Sequence, residues 1–436
     1  MLKKSYDNSL LLNEILESMG TIIEFDLEDY ETHQHAVRVA EGAVFVAEKM
    51  GLDADTIQKL YFAALLHDIG KITVSADLLH KRERLTDDEY SQVKNHTVTG
   101  SRIIASLPGM TSLASWVRWH HEWWDGSGYP DGLKEAEIPL PVQILSILDM
   151  FDSIQTPRAD RDPRQKEEAV RIITEQRGTH FNPELVDIVL ELIHDSHVSI
   201  SEKPHRDFAA LKKKYVDVPF HDSDKNFWQS SNIESLYYIL KLFADVIDSK
   251  NEYTRGHSTR VSVLAKILCE KMGMPHEDLL KVEIAGLLHD AGKVTIPIEI
   301  LNKQDSLTEE EWAIVRAHTT KTFEIIGYSA ALREIAFIAA CHHERYDGNG
   351  YPMKLAKDEI PFLSHVIAVA DTYDAVTSAR AYHPQRSAEY AYNIIREVSG
   401  RQLHPDVVET LLAIPPKHIE GIVDMHISSY APVQIS

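Results

Sequence analysis

Two short runs carry the residues that could do chemistry: Leu66-His67-Asp68-Ile69-Gly70-Lys71 and Leu288-His289-Asp290-Ala291-Gly292-Lys293. In each, an apolar stretch ends in an imidazole, a carboxylate and, three residues further on, an ammonium. Burying unpaired charge is costly, so such groups need partners. Hydrolytic metal chemistry would supply them. The two runs are offset by 222 residues, the difference between 289 and 67. The same offset relates His35 to His257, His96 to His318, His120-His121 to His342-His343, and Asp149 to Asp371. The correspondence runs without a gap from about Thr32/Thr254 to Val186/Val408, which implies two copies of one domain.

Imidazole and carboxylate suit divalent ions such as Fe, Mn, Zn or Ni, and the lack of thiols disfavours a structural zinc knot. Each copy offers more ligands than one ion needs, so Asp68 is a candidate bridge between two ions. A lone helical His is more often structural than a ligand, and a lone His-Asp pair can be a simple buried ion pair. Retention of the whole set at fixed spacing, while most surface positions between them diverge, favours ligands. A second signature is His120-His121-Glu122-Trp123-Trp124-Asp125-Gly126-Ser127-Gly128-Tyr129-Pro130, matched by His342-His343-Glu344-Arg345-Tyr346-Asp347-Gly348-Asn349-Gly350-Tyr351-Pro352. Gly allows backbone conformations closed to other residues and Pro stiffens the turn, so this loop could wall a pocket beside the ligands.

The elements that must position these groups read as helices nearly throughout. Residues 232–250 place Ile233, Leu236, Tyr237, Leu240, Phe243, Val246 and Ile247 on one face. Similar helices precede His35, carry His67 and His289, and run through 165–176 and 386–398. Strand-type alternation and a Gly-rich phosphate loop are absent. Residues 1–195 form one expected domain and 232–436 the other, with the polar stretch 196–231 as linker, including a short basic helix near Leu211-Lys212-Lys213-Lys214. At 436 residues there is ample chain for a core in each copy. A formal charge of −22 argues against binding to nucleic acid polymers or anionic membranes. The 23 His outnumber the 19 Gly, a weak pointer to metal sites. With only Cys269 and Cys341 there is no disulfide framework, and a reducing cytoplasm is the expected location. Cys341 reads as a small buried side chain, because its counterpart is Trp119.

At these motifs the sequence resembles the HD-GYP branch of the HD phosphohydrolases, over about residues 30–190 and 250–412. The resemblance implies an all-α fold of two tandem HD-GYP domains. It also implies hydrolysis of bacterial 3′,5′-cyclic dinucleotides, either cyclic di-GMP or 3′,3′-cyclic GMP-AMP, by a water activated between cations. By position it gives His35, His67, Asp68 and Asp149 to one ion, and Asp68, His96, His120 and His121 to another. Glu31 matches the place of a third ion in some members. The second copy offers His257, His289, Asp290 and Asp371, then Asp290, His318, His342 and His343. Fe or Mn is the expected metal, with Ni or Zn as alternatives. Asp68 with Lys71, and Asp290 with Lys293, take the catalytic positions. Tyr129, Arg158 and Arg161 match substrate contacts, as do Tyr351 and Arg380. Copy two departs at Tyr253, opposite Glu31, at His383, opposite Arg161, and at Met353-Lys354, opposite Asp131-Gly132, so copy one holds the fuller set.

Two alternatives stay open. One is a different HD-type nucleotide phosphohydrolase, which the Gly-Tyr-Pro loops oppose. The other is a receptor that binds the cyclic dinucleotide without cleaving it. A homodimer or a signalling-protein partner is compatible with either.

Overall fold

In the computed structural model residues 35–156, 164–195, 208–216 and 256–419 are described, with breaks at 75, 80, 82, 106–109, 304, 328–331 and 379–385; parts of 240–248 and residue 421 are described as well. Glu31, Arg158, Arg161 and Arg380 lie outside the described residues.

Copy one begins with α1 (His35–Lys49), whose inner face is built of small residues: Ala36, Ala40, Gly42, Ala43 and Ala47 are all buried. Small side chains let the next helix approach closely, and α2 (Ala54–Leu66) packs along α1. Asp53 caps α2, accepting from the Thr56 amide at 2.9 Å. The helix ends at His67, and the chain turns through a 3₁₀ segment, Ile69–Thr73. A long helix α3 (Asp87–Ala105) packs on that turn. Its start is fixed by Thr86 and Glu89, each accepting from the other's amide. Then follow α4 (Thr111–Trp119), the Gly-Tyr-Pro loop, α5 (Leu140–Gln155), α6 (Lys166–Glu175) and α7 (Pro183–Asp195). The core is apolar, with Phe62, Leu66, Ile103, Val117, Leu145 and Phe151 buried.

Copy two repeats the order as α8 (His257–Lys271), α9 (His276–Leu288), α10 (Glu309–Ile326), α11 (Arg333–Ala340), α12 (Phe362–Thr377), α13 (Ala388–Val398) and α14 (Pro405–Leu412). Among the described residues no β-strand forms; two isolated bridges, Arg177 to Phe181 and Ser399 to Leu403, close equivalent turns. The all-α tandem expectation is borne out. Leu240, Phe243 and Ile247 of the expected 232–250 face are buried, and the other residues named for that face lie outside the described residues. Cys341 is buried, as expected of a packing residue.

The chain divides into two units, the first ending at Leu236. Within the stretch 196–231, residues 208–216 pack onto the first unit. Gln58 donates to the Val216 carbonyl at 3.3 Å, and Lys214 pairs with Glu48 at 3.2 Å. No helix among the described residues is long and apolar enough to cross a membrane.

Candidate metal centres

Five helices deliver the ligand set of copy one. His67 and Asp68 stand where α2 stops, His96 faces inward from α3, His120 and His121 follow α4, and Asp149 comes from α5. His35, the first described residue of α1, completes it. Among the groups that result are His35 with His67 and Asp149, and His96 with His120 and His121; in each, the donor atoms lie within 4.8 Å of one another. Asp68 belongs to both sides: its Oδ2 lies 3.3 Å from His67 Nε2, and its Oδ1 lies 3.4 Å from His96 Nε2. His35 Nε2 lies 3.2 Å from Asp149 Oδ1. Donor atoms bound to one ion at about 2.1 Å stand roughly 3.0–3.4 Å apart, so this spacing suits shared cations.

Copy two reproduces the arrangement. His257 Nε2 lies 3.4 Å from both Asp290 Oδ2 and Asp371 Oδ1, and His289 Nε2 lies 3.3 Å from Asp290 Oδ2. His318 Nε2 approaches Asp290 Oδ1 at 3.5 Å, and His342 and His343 close the second group. Every described ligand expected from the sequence is thus brought to one of two centres.

The imidazoles are held by their far nitrogens. Nδ1 of His67, His96 and His120 each meets the carbonyl three residues back, at 2.7 Å from Ala64, Val93 and Val117. Donating there leaves the Nε2 lone pair for the centre. His35 uses a carboxylate instead: its Nδ1 lies 2.6 Å from Asp152, which Arg38 grips with Nε at 2.6 Å and Nη2 at 2.9 Å. Asp374 and Arg260 do the same for His257. The sequence reading missed these four residues, although they also keep the 222-residue offset.

Burial pushes His96 down to about 4 and His120 to about 3, so both are neutral imidazoles near pH 7. Burial acts on His35 in the same direction, but hydrogen bonds to Asp149 and Asp152 outweigh it and raise its pKa to about 10. Asp68 resists the upward push of burial, because His67, Lys71 and His96 hold its carboxyl well below the usual range. Several buried atoms at the centres have no hydrogen-bond partner: His67 Nε2, Asp68 Oδ1, Asp290 Oδ1, His318 Nε2 and His342 Nε2. Orphaned buried acceptors are costly, and so many aimed together fit divalent cations.

Beside each centre, Lys71 pairs with Asp68 and Lys293 with Asp290. Tyr129 of the Gly-Tyr-Pro loop lies over His121 with ring centroids 5.0 Å apart, and Tyr351 over His343 at 4.9 Å. The loop is clamped from within by buried Glu122, which accepts from the amides of Asp131, Gly132 and Leu133 at 2.6, 3.1 and 3.0 Å. Glu344 takes the amides of Met353 and Leu355 in the same way. Lys354 holds a positive φ of 58° where Gly132 has 69°, so copy two makes the same turn without glycine. From outside, Trp124 and Asp125 donate to the carbonyls of His180 and Thr179, both at 2.9 Å.

A helical fold with paired His and Asp centres at the ends of its second helices defines the class. The HD domain family model matches residues 23–185 and 241–407, and the chain belongs to that family, once in each copy. The tandem HD-GYP resemblance is thereby borne out. The chain is similar to 3′3′-cGAMP-specific phosphodiesterase 3 of Vibrio cholerae serotype O1, with 25% identity over 93% of this chain and 94% of that protein. It is similar to the cyclic di-GMP phosphodiesterase of Thermotoga maritima at 40% identity, over 42% of this chain and 49% of that one. The crystal structure of V-cGAP3, a cyclic GMP-AMP specific phosphodiesterase of V. cholerae, matches with a TM-score of 0.63 at 22% identity. It covers 93% of this chain and 99% of that one, which is a likeness of fold.

Proposed function

We propose that this chain is a metal-dependent phosphodiesterase that opens bacterial 3′,5′-cyclic dinucleotides to linear products. The observation that carries the reading is the pair of centres where His and Asp donor atoms converge, several of them buried without hydrogen-bond partners. His35, His67, Asp68 and Asp149 would hold one ion, and Asp68, His96, His120 and His121 another. Fe or Mn suits this nitrogen and oxygen set, with Ni or Zn as alternatives. When bound, the ions would supply a polarised phosphate and an acidified water.

The chain's own residues do the rest. The neutral imidazoles of His96 and His120, with the buried carboxylates, fix the centre's geometry. The Lys71 ammonium, held against Asp68 at the site's edge, offsets charge building on the phosphate oxygens. It can also deliver a proton to the departing ribose oxygen. Tyr129 and the clamped loop wall off one side. No nucleophilic side chain is required, because phosphoryl transfer depends on positioning and charge stabilisation.

The V. cholerae relative matched over nearly its whole length bears a 3′3′-cGAMP-specific name, which supports the hybrid dinucleotide as first substrate. The stronger identity of one copy to a cyclic di-GMP phosphodiesterase supports the second. Copy one is the more open at two ligands: the His35 and Asp68 side chains are each 14% exposed, against 2% and 4% for His257 and Asp290, while Asp149 and Asp371 are alike at 14% and 16%. We assign it the larger share of turnover. A cytoplasmic setting goes with this substrate class and with two buried free cysteines.

The test uses purified protein loaded with Mn or Fe and offered each cyclic dinucleotide. Wild type should release linear product, Asp68→Ala should lose most of the turnover, and Asp290→Ala less. Loss of all hydrolysis only in the double variant would still fit a phosphodiesterase and would correct the assignment to copy one. Retention of full activity and full metal content by the double variant would refute the reading.

A further inference from the structure

Beyond the ligands, α3 and α10 carry a second pair of residues that the centres do not use. Tyr90 is a large aromatic left 45% exposed, and Trp312, its counterpart 222 residues on, is 42% exposed. One turn later stand Lys94 and Arg316. Lys94 Nζ lies 4.5 Å from the Tyr90 ring centre and 5.1 Å from that of Tyr129, and the Tyr90 and Tyr129 rings meet edge to face at 6.4 Å. Arg316 stands over Trp312 at 5.7 Å. Its charge also acts on Tyr351, opposing the upward push that burial gives that phenol. A path of ring contacts joins the metal ligands to this lip: His96 to His121 at 5.2 Å, His121 to Tyr129 at 5.0 Å, then Tyr129 to Tyr90.

An aromatic and a cation one turn apart on a helix can be mere surface decoration. Three features argue otherwise. The cation spans from the helix to the loop tyrosine. Both copies keep the pair while nearby positions change outright, Gln92 to Ile314 and Ser101 to Phe323. The rings are left open to water, so each is accessible to a ligand. We infer that Tyr90 with Lys94, and Trp312 with Arg316, form a platform on which a purine base of the substrate stacks, with the cation placed for its phosphate or for the O6 and N7 edge of guanine. This rests on the cyclic dinucleotide reading and adds the residues that would grip the base while the phosphodiester lies at the ions.

The experiment uses the full chain loaded with Mn, with steady-state hydrolysis and calorimetric binding of cyclic di-GMP and 3′,3′-cyclic GMP-AMP. The Tyr90→Ala/Trp312→Ala double variant should raise KM and Kd about tenfold or more, the loss of one stacked base. The metal content and kcat should hold within about twofold on the same ground, since the lip touches no reacting atom. Tyr90→Phe with Trp312→Phe should restore binding, which a merely structural role for the hydroxyl or indole would not. Lys94→Gln with Arg316→Gln should weaken binding and flatten its dependence on salt.

If wild type turns the substrate over and the alanine pair leaves KM and Kd unchanged, the platform is wrong and the phosphodiesterase reading stands. If wild type binds a cyclic dinucleotide without cleaving it, the hydrolytic reading fails, and the Kd series alone decides the platform. If metal-loaded wild type neither binds nor cleaves either dinucleotide, both fall.

Discussion

At the scale of single residues, the centres depend as much on what orients a ligand as on the ligand. His35 reaches Asp149 with one nitrogen only because Asp152 holds the other, and Arg38 fixes Asp152 in turn. Such partners typically contribute 10- to 100-fold in metal affinity. Asp152→Asn should therefore weaken Mn binding in copy one by about that factor with the fold retained, as read by competition with a chelating dye. Unchanged affinity would mean that His35 is not held this way. The same residues make a pH prediction for the metal-free chain. His96 and His318 fold with values near 4, and His120 and His342 near 3, all depressed by burial. Free imidazole titrates near 6.5, so between about pH 6.5 and 4 the unfolded chain binds more protons and stability falls with pH. His35 and His257, raised to about 10, contribute stability that is full below about 6.5 and is lost as pH rises towards 10. Urea unfolding of chelated protein should show both slopes, and a flat profile from pH 6.5 to 4 would contradict the buried neutral imidazoles.

At the scale of elements, the site is set by how closely α3 approaches the turn after α2. A Cβ on Gly70 would sit 1.9 Å from the His96 carbonyl and 2.6 Å from the Gly100 amide; on Gly292 it would sit 2.0 Å from the His318 carbonyl. Only glycine permits this contact, and it brings His96 within reach of Asp68. Gly70→Ala should push α3 outward, costing about 1–3 kcal/mol of stability by overpacking. It should also remove the His96 side of the centre, lowering metal content in copy one. Thermal melts together with metal analysis would check this, and a stable variant with all its metal would show that the turn has slack. The Gly-Tyr-Pro loop is a second element of this kind, folded around the Glu122 carboxylate. Its glycines were legible in the sequence as turn residues. The role of Glu122 was not, because a carboxylate accepting three amides leaves no mark of its own in a one-dimensional pattern.

At the scale of the whole molecule, one chain holds two candidate metal centres, each built from described residues of its own unit. Metal loading should therefore be additive. Asp68→Ala should remove the ions of copy one and leave those of copy two, and Asp290→Ala the reverse. Plasma emission analysis of desalted protein would count them. Loss of all metal from either single variant would show that the two centres do not load separately. Within a formal charge of −22, Lys71 and Lys293 stand at the centres and Lys94 and Arg316 on the helices that carry His96 and His318. That placement suits a small anionic ligand better than a polymer.

The sequence by itself determined the duplication and the helical class, and it singled out the described His and Asp residues that converge at the two candidate centres. A fixed offset between chemically costly residues survives only if those residues meet, and that logic needs no coordinates. Tertiary structure alone decided which atoms face inward, how near each oxygen of Asp68 and Asp290 comes to the surrounding histidines, and that Asp152, Asp374, Arg38 and Arg260 hold the first histidines. It also decided that Glu122 shapes the loop and that Tyr90 and Lys94 reach Tyr129. These facts depend on contacts between helices far apart in the chain. Spacing along a sequence shows which residues share a helix face, while the packing of one helix on another sets how near two faces come.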